Sequence, residues 1–247
     1  MKKNASSAAM DESRETSPLV ALSTGRTNFM GLNLEASAQA LVPRRETELL
    51  GNTALKLLQE LVYERGGAQV LDLGTGSGNL ALALAHYETR AVVCATDISD
   101  DALELARRNA RRLQLDSRVD FFAGDLFAAL PEEIFQRQFD LIVCNPPYIS
   151  SSKLDHSELI QHEPRAAFDG GPFGLNVLGR LIQEAPGHLK PNSWLCFELG
   201  QGQGKYLSNC LEKNKAYAEV RTLLNEDGEV RALASKTCAP PIPTVEK

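Results

Sequence analysis

The sequence contains no CxxC pair. Its five cysteines, Cys94, Cys144, Cys196, Cys210 and Cys238, are scattered over 247 residues, and their odd number and spacing argue against both a disulfide framework and a zinc site. Three of them, Cys94, Cys144 and Cys196, lie inside apolar runs and read as buried small hydrophobes. No apolar run approaches the roughly 20 residues that span a bilayer. Lys2 and Lys3 are followed only by the apolar run 19–22, too short for the core of a secretory signal. His86, His156, His162 and His188 show no ligand spacing, so surface or helix-end roles are expected for them and no metal is. Cationic residues are outnumbered, 26 Lys and Arg against 32 Asp and Glu for a net charge of −6, which gives no general attraction to nucleic-acid phosphate or an anionic membrane. Low-complexity linkers and internal repeats are missing as well. These absences predict a soluble cytoplasmic protein, and 43% hydrophobic residues suffice for one sizeable core or two small ones.

Residues 1–27 are rich in Ser, Ala, Thr and charge without a sustained period, and read as a mobile tail. The stretch Ala239-Pro240-Pro241-Ile242-Pro243 can continue neither a helix nor a central strand, so 238–247 reads as a second tail and the fold ends near Lys236. Between them the pattern alternates. Residues 46–63 place Leu50, Ala54, Leu57, Leu58 and Leu61 on one helical face and stop at Gly66-Gly67. Runs 68–73, 91–96, 119–123, 139–144 and 194–199 suit strands. Runs 79–87, 100–113 (behind Ser99 as N-cap), 175–189 and 204–212 suit helices. Residues 218–235 around 225–228 look like a hairpin. Strands alternating with helices predict an α/β doubly wound, mostly parallel sheet over about 46–237, with the terminal hairpin adding an antiparallel strand.

The richest stretch is Val70-Leu71-Asp72-Leu73-Gly74-Thr75-Gly76-Ser77-Gly78. Three glycines at alternate positions, directly after a strand and before a helix, permit a tight turn and close approach of a ligand to the backbone. The spacing is GxGxG, unlike the GxGxxG of dinucleotide folds, and Asn79 follows, which points away from a pyrophosphate. Asp97, at the tip of the second strand, can accept hydrogen bonds from both ribose hydroxyls of a nucleoside, the plainer alternative being a capping or surface role. Asp125 ends the third strand at the same edge and can take the exocyclic amine of an adenine, with Leu126 against the ring. From about Glu46 to Lys236 these parts resemble class I S-adenosylmethionine-dependent methyltransferases. The resemblance implies a seven-stranded order 3-2-1-4-5-7-6 with the last strand antiparallel and S-adenosyl-L-methionine as cofactor. It implies that the loop of Gly74, Thr75, Gly76, Ser77 and Gly78 holds the methionine end, Asp97 with Ile98 the ribose side, and Asp125 and Leu126 the adenine. An NAD-type dehydrogenase is the alternative at this level, but no acid–base residue or second nucleotide-binding half supports it.

Asn145-Pro146-Pro147-Tyr148 follows the fourth strand, at the switch point where such sheets bind ligands. The two prolines fix φ and remove donors, leaving backbone carbonyls as bare acceptors. Asn145 adds an acceptor and Tyr148 a flat face. The set suits a planar nitrogen that carries hydrogens. Bonds from its two N–H groups to the Asn145 side chain and the Pro146 carbonyl would hold it, and stacking on Tyr148 would present the lone pair in line to a methyl donor. A rigid turn closing a strand is the bland alternative.

The tetrapeptide resembles that of amino-methyltransferases generally, those for adenine N6 in nucleic acid included. Leu41-Val42-Pro43-Arg44-Arg45-Glu46-Thr47-Glu48, and Glu163 to Gly171 followed by Gly174-Leu175, are similar to segments flanking it in the glutamine N5-methyltransferases of the HemK/PrmC type, which modify peptide-chain release factors. Phe29-Met30-Gly31-Leu32 looks like the hairpin that precedes the catalytic domain there, so 28–45 is assigned to hairpin and lead-in. This resemblance implies a catalytic role for Asn145, Pro146 and Tyr148, substrate contacts from Asn145 to Tyr148, Asn145 also touching the cofactor, and a release-factor-like protein as partner. Arg45 stands where the family has a second proline, and the helical domain that grips the substrate is not seen in the sequence. A small-molecule amide or amine is therefore the alternative substrate, with an adenine-N6 nucleic acid ranked behind it. Arg107, Arg108, Arg111 and Arg112 read as a solvated helix face.

Overall fold

The computed structural model describes residues 18–135, 138–155 and 161–239. Residues 1–17 and 240–247 of the expected tails, and His156, lie outside the described residues. The described residues open with helix α1 (Pro18–Thr24), then a hairpin of β1 (Arg26–Phe29) and β2 (Leu32–Glu35). The expectation of a tail reaching residue 27 is corrected here. Ala21 is buried against Ala36 and Val42, so the short apolar run 19–22 docks on the lead-in segment, and the hairpin begins at Arg26 rather than 28.

Helix α2 (Thr47–Arg65) follows, buries the predicted leucine face and stops at Gly66, whose φ of 83° provides the left-handed cap. Next come β3 (Ala68–Leu73), α3 (Asn79–Tyr87), β4 (Ala91–Asp97), α4 (Asp100–Arg112) and β5 (Val119–Ala123). Ser99 caps α4, its hydroxyl accepting from Ala102 N at 3.2 Å. The short helix α5 (Glu132–Phe135), β6 (Phe139–Cys144), the single turn α6 (Ser151–Leu154), α7 (Asn176–His188), β7 (Leu189–Glu198), α8 (Gly204–Lys213), β8 (Tyr217–Leu224) and β9 (Val230–Thr237) follow among the described residues.

The sheet runs β5-β4-β3-β6-β7-β9-β8. All pairs are parallel except those of β9, which is antiparallel to both β7 and β8. This is the doubly wound order that the sequence implied. Because strand side chains alternate, each central strand feeds two cores. Val70, Val93, Leu141 and Cys196 belong to the core shared with α2 and α3, while Leu71, Cys94, Ile142 and Leu195 belong to the one shared with the 126–130 turn, α7 and α8. Cys94, Cys144 and Cys196 are buried. Strand β7 starts at Leu189, earlier than the apolar run 194–199 predicts, because Leu189 pairs Phe139 across a bulge before the regular register from Leu141 and Trp194.

A buried side chain ties the N-terminal hairpin to α4 and to the loop after β3. Asn109 Oδ1 accepts from Glu35 N at 2.6 Å, and its Nδ2 donates to Glu35 O and Ser77 O. The arginines of α4 therefore do not form a uniformly solvated face. Arg108 bonds Glu35 and Gln39 and Arg107 the Phe121 carbonyl, while Arg111 and Arg112 remain exposed. Of the histidines, His86 and His162 are exposed, whereas His188, at its helix end, is buried and stacked on Phe127 with centroids 4.4 Å apart. Among the described residues no helix is long and apolar enough to cross a membrane, and no group of three or more His, Cys, Asp or Glu is placed to hold a metal.

Candidate active site

A cleft of about 360 Å³ opens at the carboxyl ends of β3, β4, β5 and β6. Its floor is the loop after β3. Gly74, Gly76 and Gly78 all take left-handed φ angles of 68°, 56° and 84°, which side chains with a Cβ adopt only at a cost. They divide the labour. Gly74 and Gly76 line the cleft, where a Cβ on Gly76 would come only within 4.0 Å of Ala40, whereas a Cβ on Gly78 would press on Leu82 and Ala106. Thr75 lines the cleft, while Ser77 is buried and does not.

Asp72 holds this loop from behind. Its Oδ2 accepts from Thr75 Oγ1 at 2.6 Å and from Ala81 N at 3.1 Å, and its Oδ1 is buried without a partner. Burial pushes its carboxyl up to about 7, against the lowering effect of those two bonds. Asp97 lies in the cleft with Gly76 N on Oδ2 (2.8 Å) and Ser99 N on Oδ1 (2.9 Å). Burial raises its carboxyl too, and the backbone donors of Ser99, Gly76 and Ile98 oppose that. Ile98, exposed, lies beside it in the cleft wall, with Asp125 and buried Leu126 further along. Asp125 is half-exposed and ion-paired to Arg180 Nη1 at 2.7 Å.

Of the tetrapeptide, Asn145 and Pro147 line the cleft; Pro146 is buried and Tyr148 packs with the core beneath. Asn145 Nδ2 donates to Thr47 Oγ1 at 3.1 Å, an orientation that leaves Oδ1 as the acceptor of the amide. Tyr148 hydroxyl donates to Glu198 Oε1 at 2.9 Å, and burial followed by that carboxylate pushes the phenol well above its ordinary range. Glu198 is itself buried, which raises its carboxyl, and the Thr47 and Tyr148 hydroxyls pull it back.

The segment 163–175 folds onto the tetrapeptide. Ile149 N bonds Phe168 O at 2.9 Å and Gly170 N bonds Ile149 O at 2.8 Å. Side chains cannot be accommodated where this happens: a Cβ on Gly170 would lie 2.7 Å from Pro147 O, and one on Gly174 would run into Tyr148 O. The lead-in segment closes the other side, since Glu163 Oε1 accepts from Val42 N at 2.7 Å and Oε2 from Arg44 Nη2 at 2.5 Å. Gln39, Ala40, Leu41 and Pro43 thereby join the lining.

Sequence reasoning gave no separate role to Asp72, Thr47, Glu163 or Glu198. The signal was present in part, since Asp72 and Glu198 are acids inside otherwise apolar strand runs.

Comparison with known proteins agrees with this architecture. Residues 64–237 match the methyltransferase domain family. The release factor glutamine methyltransferase of Moorella thermoacetica is 38% identical over 209 residues, 84% of this chain and 71% of that protein. The protein of the same name from Xylella fastidiosa is 41% identical over 224 residues, 90% of this chain and 73% of that one. In fold, the chain is similar to the hMettl16 catalytic domain solved with an RNA hairpin (TM-score 0.66, 17% identity, 92% of this chain and 85% of that one). It is also similar to the Thermus thermophilus 16S rRNA N2 G1207 methyltransferase solved with AdoMet and guanosine (TM-score 0.57, 23% identity, 86% and 49%). At 38–41% identity over more than two thirds of the length of these relatives, the chain belongs to the release factor glutamine methyltransferase family, built on the class I methyltransferase fold.

Proposed function

We propose that this protein transfers the methyl group of S-adenosyl-L-methionine to the side-chain N5 of a protein glutamine, with a peptide-chain release factor as the substrate. The observation that carries the reading is the Asn145 amide, tied back through Nδ2 to Thr47 so that an acceptor is left for a substrate N–H in the same cleft as the glycine loop and Asp97.

The cleft suits the cofactor by its own chemistry. Gly74 leaves open space where a Cβ would stand, Asp97 keeps lone pairs beyond its two backbone donors for ribose hydroxyls, and Leu126 and Ile98 supply apolar surface for a base. When bound, S-adenosyl-L-methionine supplies a sulfonium-activated methyl group. A glutamine amide is a weak nucleophile because its nitrogen lone pair is delocalised. Asn145 Oδ1 and the Pro146 carbonyl would accept its two N–H bonds and raise the electron density on nitrogen. As the N–C bond forms the methyl–sulfur bond would break, its electron pair staying on sulfur as a thioether, and one N–H proton would pass to solvent. Tyr148, anchored by Glu198, lies outside the cleft lining and would hold the tetrapeptide in place rather than stack on the substrate. Orientation of this kind contributes on the order of 7 kcal/mol in ideal cases.

The test is incubation of the purified protein with labelled cofactor and purified release factor, followed by mass spectrometry to place the label on glutamine. N145A should lower transfer by on the order of 100-fold while calorimetry finds cofactor affinity within about twofold of wild type. Label that accumulates in small-molecule or nucleic-acid fractions of a lysate, with none in protein, overturns the proposal.

A further inference from the structure

A side-chain amide is nearly symmetric in shape but not in polarity: rotated by half a turn, Asn145 would offer a donor where the reaction needs an acceptor. Something must fix which end faces the cleft. Thr47 Oγ1 receives Asn145 Nδ2 at 3.1 Å, yet a hydroxyl can equally donate, and in that state it would favour the reversed amide. The direction of one O–H bond therefore sets the polarity of the substrate site.

Glu198 lies at the end of β7, a strand against which α2 packs, and is buried with 3% exposure. Its Oε1 takes the Tyr148 hydroxyl at 2.9 Å, and its Oε2 is buried without a hydrogen-bond partner of its own. An ionised carboxylate is an acceptor only. We propose that Glu198 is a positioning residue that draws the Thr47 hydroxyl hydrogen toward its free oxygen, so that Thr47 can only accept from Asn145, and Asn145 can only present its oxygen to the substrate amide. The same carboxylate also holds the Tyr148 hydroxyl, so one buried acid braces the tetrapeptide at both of its ends. Thr47 is the foremost of the hydroxyls that offset the burial of Glu198, ahead of Tyr148, and Arg231 supports the ionised state from nearby. Neither Glu198 nor Tyr148 lines the cleft, so this acid acts through its neighbours and not on the reacting atoms.

The inference rests on the proposed glutamine methylation, and the experiment separates the two. T47V keeps the shape and removes the hydroxyl, T47S keeps the hydroxyl, and E198Q keeps the shape while adding a donor that permits the reversed chain of bonds. With release factor as substrate, T47V and E198Q should each lower kcat by roughly 30- to 100-fold, with cofactor affinity by calorimetry unchanged. T47S should recover most of the rate lost in T47V, which a purely packing role for the threonine methyl would not produce. Should E198Q fail to fold, the threonine pair still decides the matter. Wild type active on glutamine with T47V equally active, or T47S as slow as T47V, overturns the relay alone. Wild type that binds cofactor and methylates no glutamine overturns the proposed function and the relay together.

Discussion

At the scale of single residues, the buried acids carry most of the information. Asp72 costs stability whenever it is ionised, because its folded-state carboxyl titrates at about 7 against an ordinary 3.8. The folded state thus holds a proton that the unfolded state has released between those values, and stability from this group falls as pH rises through that window, with the cost fully present above about pH 7. D72N would keep an oxygen for Thr75 and Ala81 and place its nitrogen where Oδ1 now lacks a partner. Its advantage over wild type should be on the order of 2 kcal/mol larger at pH 8 than at pH 5, read from denaturant melts at both pH values. An equal effect at the two would show that burial of this charge is not what the substitution relieves. Asp97 was legible in the sequence because a strand tip followed by a helix cap announces its position locally. Thr47, Glu163 and Glu198 were not, since each is defined by a partner far along the chain: Asn145, Val42 and Tyr148.

At the scale of elements, the strand–loop–helix alternation is written in apolar runs and their breaks, and the structure follows it closely from Ala68 to Cys144. The reading fell short where tertiary pairing recruits polar residues. Lys190, Pro191 and Asn192 belong to β7 through the bulged pairing with β6, and Pro18–Thr24 is helical because Ala21 finds a buried seat. The lead-in segment depends on Glu163 in the same way. With side-chain exposures of 21% and 4% for Arg44 and Glu163, E163A leaves a mostly buried guanidinium and the Val42 N–H without their acceptor. Loss of about 2–4 kcal/mol is expected, with less lost in E163Q, which still accepts from Val42. Because Gln39, Ala40, Leu41 and Pro43 line the cleft, E163A should also weaken cofactor binding by roughly tenfold or more. Denaturant melts paired with calorimetry check both, and a destabilised variant with wild-type affinity would mean that this segment is scaffold alone.

At the scale of the whole molecule, the cleft draws its lining from residues 39–47, 74–80, 97–102, 124–126, 145–147 and 164–177, segments that meet only when the sheet is fully assembled. No partial structure retains the site, so a ligand there binds the native state and not the unfolded chain, and its binding energy appears as global stability. Cofactor at a hundred times its dissociation constant should add roughly 2.7 kcal/mol, about 5–10 °C in melting temperature for a chain of this size. D97A removes the carboxylate proposed for the ribose and, through Gly76 N on Oδ2 and Ser99 N on Oδ1, the brace between the loop floor and α4. A tenfold loss of affinity leaves only about 1.4 kcal/mol at the same ligand concentration, so the ligand-induced rise in melting temperature should fall by about half or more. The comparison is made within each protein, with and without cofactor, so any change in the intrinsic stability of D97A cancels. A variant whose melting temperature rises with cofactor as far as wild type does would remove Asp97 from the binding of the nucleoside.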